Sequence, residues 1–240
     1  MSVPGLVSAM RIGPAERMPL ALVTLLSGVL ALVCLVVGAH AVQYDFETFG
    51  DPTRLLAMRE VDLASVRAFL FLDMFGYYLF LAPIVFASHR LLATRTPWSG
   101  VITFSGGAYV LIGAMGASIL AAAWPSMIAA HAEADEASAV VIRASFVMIT
   151  DLVYGGLWNL LEVLLAGVWW IGLGVFLSKT HPKLAWLTII TGVFPLLDGV
   201  AGMLALPALQ EVMLNGYLVT GVVWPIVIGA ALVRDAGYAA

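Results

Sequence analysis

Cysteine is nearly absent from this 240-residue chain. Cys34 stands alone inside an apolar run, which excludes an intrachain disulfide and any Cys-rich metal or redox centre. Lysine is nearly as scarce: Lys179 and Lys183 share one short polar turn, so no buried amine is placed for a retinal-type Schiff base. His89 and His181 fall in loops, and His40 and His131 at span edges, too shallow for a transmembrane haem pair. His40 with Asp73, Glu162 and Asp198 is a metal set in chemistry only, lacking any Glu-x-x-His or His-Glu-x-x-His spacing. No metal and no cofactor is therefore expected. Basic residues never form a stripe, which leaves nucleic-acid binding without support. No P-loop, dinucleotide fingerprint or nucleophile motif is present.

Charge as a whole is thin, at 11% of residues against 62% hydrophobic; a soluble domain carries about 25%. With a mean hydropathy of +1.02, the composition is that of an integral membrane protein. The apolar runs predict an all-α, polytopic transmembrane helix bundle forming one domain over 1–240. Its six spans, of about 20 residues each, fall at about 19–42, 67–88, 100–124, 156–178, 184–206 and 214–233. The first run is too long for a signal-peptide core and is read as a retained helix. Residues 43–66 read as a polar loop holding Asp45, Glu47, Asp51, Glu60 and Asp62, with a short interfacial helix from Thr53. Trp124-Pro125 reads as the end of the third span, whose Gly113/Ala117 and Ala114/Ser118 pairs have the spacing of close helix packing. This span is expected at the bundle centre. Residues 138–154 read as a moderately apolar helix that does not cross, with a seventh short or re-entrant crossing as the alternative.

Charge bias orients the bundle. With six spans, one side holds Arg11, Arg17, Arg90, Arg95, Lys179, Lys183 and Arg234 against two acids, Glu16 and Asp235. The positive-inside rule puts that side, and both termini, in the cytoplasm of a bacterial inner membrane, with the chain as a multi-pass cell-membrane protein. Trp98, Trp124 and Trp186 fall near span ends, as an aromatic belt requires.

The stretch Asp151–Trp170, DLVYGGLWNLLEVLLAGVWW, carries the sequence's strongest functional signal. Glu162 lies where an unpaired ionised side chain costs several kcal/mol, roughly, unless a partner or water relieves it. It reads either as a working residue or as neutral glue capped by Asn159. Asp73 in the second span and Asp198 in the fifth accompany it: at ~1.5 Å per residue the three lie about 9, 10 and 13 Å inside the outer boundary. One shared cavity in the outer half would hold them, with Tyr77, Tyr154 and Trp158 as walls and Arg67 or Arg143 as cationic partners. Pro195 is expected to open the fifth helix before Asp198, and Gly155-Gly156 to loosen the entrance to the fourth. Candidate catalytic groups are Asp73, Glu162 and Asp198; candidate ligand contacts are Asp73, Tyr77, Tyr154, Trp158, Asn159, Glu162 and Asp198.

From Phe71 to about Leu204 the chain resembles a bacterial membrane family catalogued as domain of unknown function 4386. The resembling stretches are LAPIVFASHRLL at 81–92, Gly156-Leu157-Trp158, and HPKLAWLTIITGV at 181–193. The resemblance implies a helical bundle, with no established activity and no catalytic residues to carry over.

Three function classes follow. The first is binding or transport of a small molecule or ion, or proton-coupled transport, the partners being the lipid bilayer and a small hydrophobic or cationic ligand. The second is an accessory subunit whose acids join helices. The third is a membrane-embedded, acid-initiated cyclase or isomerase acting on a lipid or isoprenoid.

Overall fold

A computed structural model describes residues 6–45, 48, 51–58 and 61–237. Glu47 and Glu60, two of the acids expected in the first polar loop, lie outside them. Among the described residues the chain is all-α, with eight helices: α1 Leu6–Ala9, α2 Pro14–Ala41, α3 Pro52–Ala57, α4 Leu63–Leu92, α5 Ser99–Glu133, α6 Glu136–Leu177, α7 Pro182–Met203 and α8 Pro207–Gly237. Six of them, α2 and α4–α8, are long and apolar enough to cross a membrane. The chain is thus a multi-pass membrane protein. Each long helix packs on its neighbours in sequence, and α8 closes the circle against α2. The result is a ring of six, so α5 is one member of a wall, not the central helix its small residues suggested.

Helix starts follow local chemistry. Asp51, Asp62 and Asp135 accept from the backbone N–H of Thr53, Ala64 and Ser138 and so cap α3, α4 and α6. Pro14 and Pro182 occupy first turns, where the missing N–H costs nothing. The ends of the ring differ in charge. Arg17, Arg90, Arg95, Lys179, Lys183 and Arg234 belong to one end, where Arg90 pairs with Glu16. Asp51, Asp62, Glu133, Asp135 and Glu136 belong to the other. At the basic end α1 tucks under the ring with Leu6, Val7, Met10 and Ile12 buried, and the Leu6 N–H donates to the Asp235 carboxylate.

The connection between the third and fourth spans departs from expectation. α5 runs straight through Pro125 to Glu133, and residues 138–154 are neither a separate surface helix nor a seventh crossing. They are the first turns of α6, which continues unbroken to Leu177. At ~1.5 Å per residue α5 and α6 are about 52 and 63 Å long, well beyond a ~30 Å apolar layer, so they extend as an antiparallel hairpin at the acidic end. A second core holds this extension: Leu55, Leu56, Val66, Leu70, Leu120, Trp124, Ile128, Phe146 and Val153. Trp124 is therefore not a belt residue. It is buried, stacks on Phe146 at 5.6 Å and donates from Nε1 to the Thr150 hydroxyl at 3.0 Å. Trp98 and Trp186, about two-thirds exposed, stay at the periphery as expected.

Two of the long helices widen locally. α4 passes from α-helix at Leu63–Asp73 into a π-helical segment at Met74–Tyr78, a 3-10 turn at Leu79–Leu81, and α-helix again from Ala82. Pro83 explains the site of this break: without an N–H it cannot serve the Leu79 carbonyl, which the Ala82 N–H takes instead. α6 is π-helical over Leu152–Glu162. Gly155 and Gly156 sit in this wide segment with ordinary helical φ and do not interrupt it. α7 likewise runs through Pro195 without a break.

Candidate functional site

The two π-helical segments meet. Tyr78 ends the first and Glu162 ends the second, and the Tyr78 hydroxyl donates to Glu162 Oε2 at 3.1 Å. The other carboxyl oxygen, Oε1, lies 2.9 Å from the hydroxyl of Tyr217 on α8. Tyr217 is also 3.3 Å from the hydroxyl of Tyr109 on α5, which donates to the Tyr77 carbonyl at 2.6 Å. The neighbouring Gly76 carbonyl accepts from the Ser27 hydroxyl on α2. Two carbonyls of the irregular stretch of α4 are thus satisfied by hydroxyls from other helices, as a break at membrane depth requires. Glu162 is 1% exposed.

Aromatic rings fill the ring of helices at this level. Tyr109 packs between Tyr78, edge-on at 5.5 Å, and the indoles of Trp169, stacked at 6.0 Å, and Trp170, tilted at 5.2 Å. Trp224 closes the group edge-on and donates to Thr188 at 2.9 Å. The indole N–H groups of Trp169 and Trp170 are buried without a hydrogen-bond partner. Glycines on α5 make room: a Cβ on Gly113 would stand 2.0 Å from the Tyr78 ring, and one on Gly116 2.3 Å from Nε1 of Trp158. The small residues of α5 therefore admit rings, and Ser118, on its outer face, takes no part.

The three acids are arranged unequally. Glu162 is held by tyrosines. Asp198 is fully buried on α7, with neither oxygen in a well-formed hydrogen bond, and Gln210 on α8 is the polar side chain that bears on it. Asp73, at the end of the first α-helical part of α4, is partly exposed and keeps one oxygen buried and unbonded. Both Asp73 and Asp198 lie within electrostatic range of Glu162, and neither bonds to it. Counted from the basic end at ~1.5 Å per residue, Glu162, Asp198 and Asp73 lie about 22, 24 and 28 Å in.

The other candidates sort as follows. Tyr77 is buried and donates to the Leu218 carbonyl at 3.1 Å. Tyr154 and Trp158 pack ring to ring at 5.1 Å, and Trp158 Nε1 donates to the Gly113 carbonyl at 3.1 Å. Asn159 is not the cap of Glu162; the tyrosines occupy that role. Arg67 and Arg143 are exposed, and neither is among the groups that bear on Glu162. Among the described residues no three of His, Cys, Asp and Glu gather to hold a metal. Two surface grooves, one between α2 and α4 lined by Leu20, Pro83 and Phe86, the other between α4 and α5 lined by His89, Thr103 and Phe104, do not include Glu162.

Sequence reasoning missed Tyr78, Tyr109 and Tyr217. For two of them the signal was available: tyrosine prefers span ends, and Tyr78 and Tyr109 lie well inside apolar runs, where a phenol needs a partner; Tyr217, four residues into the sixth span, gave none. No protein-family model, curated protein or solved structure matches this chain.

Proposed function

We propose that this protein binds or transports a small molecule or ion, or works by proton coupling, with Glu162 as the working residue. The observation that carries this reading is a carboxyl inside the helix ring, held by hydroxyls from two different helices where two π-helical segments touch. Widened helical turns recur at functional sites, and a carboxyl buried inside a span without a cationic partner is costly, which makes it a functional candidate by default. Asp73 and Asp198, each with unbonded oxygens, extend the site toward the acidic end and suit a small cationic or hydrophobic ligand. Both termini facing the cytoplasm, and membership of the family resembled over residues 71–204, belong to the same proposal.

A second reading has its own observation. Glu162 is fully hydrogen-bonded and its surroundings are filled by rings, which favours an accessory subunit whose acid joins α4, α6 and α8. Reconstitution into proteoliposomes separates the two. Glu162→Gln keeps shape and removes the ionisable proton, so proton-driven or cation uptake is expected to fall at least tenfold with folding intact. Uptake equal to the wild type would sink the first reading and leave the second.

A further inference from the structure

Three oxygen-to-oxygen contacts run in line from Glu162: Oε1 to Tyr217 at 2.9 Å, Tyr217 to Tyr109 at 3.3 Å, and Tyr109 to the Tyr77 carbonyl at 2.6 Å. Each contact needs one proton. A phenol supplies one and a carbonyl supplies none. With Glu162 ionised, two protons must serve three contacts, and one pair of oxygens faces lone pair to lone pair. With Glu162 protonated, its O–H donates to Tyr217, Tyr217 donates to Tyr109, and Tyr109 donates to the carbonyl. Tyr78 then donates to the second carboxyl oxygen, and every contact is filled.

The electrostatics agree with the count. The titratable groups bearing on Glu162 are Asp73 and Tyr78 from α4, Tyr109 from α5, Asp198 from α7 and Tyr217 from α8. No lysine, arginine or histidine is among them. A carboxylate here would have two phenol donors and two other acids, with no cation to offset it.

We infer that Glu162 is a proton-binding site whose occupancy sets the direction of the Tyr217–Tyr109 chain and, through the Tyr77 carbonyl, the state of the π-helical break in α4. When the proton leaves, to a water or buffer base reaching the site, Glu162 becomes a carboxylate and Tyr217 turns its O–H toward it. Tyr109 then either faces Tyr217 without a proton between them or swings to donate to it. The second course releases the Tyr77 carbonyl, which sits where the π-helical turn gives way to the 3-10 turn. Such a carbonyl has no ready substitute inside an apolar bundle. Loss of one proton is thereby converted into loosening of residues 74–82.

This inference rests on Glu162 as the working residue but needs no transported substrate to test it. The full chain in lipid nanodiscs would be titrated by infrared difference spectroscopy, with hydrogen exchange followed over residues 74–82. A protonated-carboxyl band is expected that Glu162→Gln removes and Tyr217→Phe displaces. Exchange over 74–82 is expected to rise about threefold or more when Glu162 loses its proton. In Glu162→Gln it should stay flat and low, because the amide N–H replaces the carboxyl O–H as donor to Tyr217. Should that variant not fold, Tyr217→Phe carries the test, since it cuts the chain and should abolish the pH dependence of exchange. If Glu162→Gln removes no carboxyl band at any pH where the protein is folded, the proton site is overturned. Exchange in the wild type that is indifferent to the titration overturns the coupling. Failure of proteoliposome uptake, with these spectra as expected, would count against transport alone.

Discussion

The hairpin at the acidic end and the layer around Glu162 are both built from aromatic rings, yet they use them in opposite ways. In the hairpin, Phe146, Trp124, Tyr154 and Trp158 pack ring against ring in a row, and Trp124 to Thr150 is a polar link between its two helices. In the layer, Tyr78, Tyr109 and Tyr217 join their hydroxyls into a chain that begins at a carboxyl and ends on a backbone carbonyl. The first region is held by contact area. The second is held by a proton count, so it can change state without changing its packing. Stability belongs mostly to the one and responsiveness to the other.

Trp124→Ala is the harshest test of that contrast. It empties a fully packed position in the hairpin core and is expected to cost about 3–5 kcal/mol, read as a lowered unfolding midpoint in detergent. The carboxyl signal of Glu162 should be unchanged below that midpoint. If it shifts, the two regions are one cooperative unit and the contrast fails. Gly113→Leu comes next. Its side chain would overlap the Tyr78 ring, so a cost above about 3 kcal/mol is expected, together with loss of the Tyr78 bond to Glu162. Val33, 40% exposed on α2, should accept leucine within about 0.5 kcal/mol. Equal tolerance at both positions would show that α5 does not press on the layer.

How much was legible in advance differs between the same two regions. The six apolar runs gave the six long helices, and Glu162, Asp73 and Asp198 stood out as acids in apolar company. The hairpin is hidden in the sequence because Pro125 and Gly155-Gly156 look like breaks. Local preference against a proline or glycine costs only about 1–3 kcal/mol, and the Trp124–Phe146 core outweighs it. The layer was incomplete for a different reason. Glu162 finds its partners 84 and 55 residues away, and the π-helical turns shift the angular register by which i, i+4 neighbours are read. Asn159, on the ordinary spacing, was the natural cap and proved not to be one.

Two smaller effects sharpen the comparison. Tyr217→Phe removes a hydroxyl and leaves the ring, so a loss near 1 kcal/mol is expected, far below that of Trp124→Ala. A loss of similar size for both would mean that the layer too is chiefly a packing device. The smallest effect concerns the Glu16–Arg90 pair at the basic end. Its hydrogen bonds, foremost that from Arg90, hold the Glu16 carboxyl below its ordinary range. A carboxyl lowered on folding adds stability above its unfolded pKa, and that gain is lost as pH falls through the lowered value. Glu16→Gln should therefore be slightly less stable than wild type at neutral pH, and the gap should close in acid, as thermal unfolding at the two pH values would report.

The three indoles of Trp169, Trp170 and Trp224 lie 5.0 to 5.8 Å apart, tilted against one another. At that separation their excited states are shared between rings, and their signs in circular dichroism follow the angle at which they meet. Tyr109 lies against two of them, so a turn of its ring during the loosening of α4 would pass into that optical couplet. The protein thus carries its own unlabelled gauge of the Glu162 layer. Trp98 and Trp186, alone at the periphery, supply the background against which it can be read.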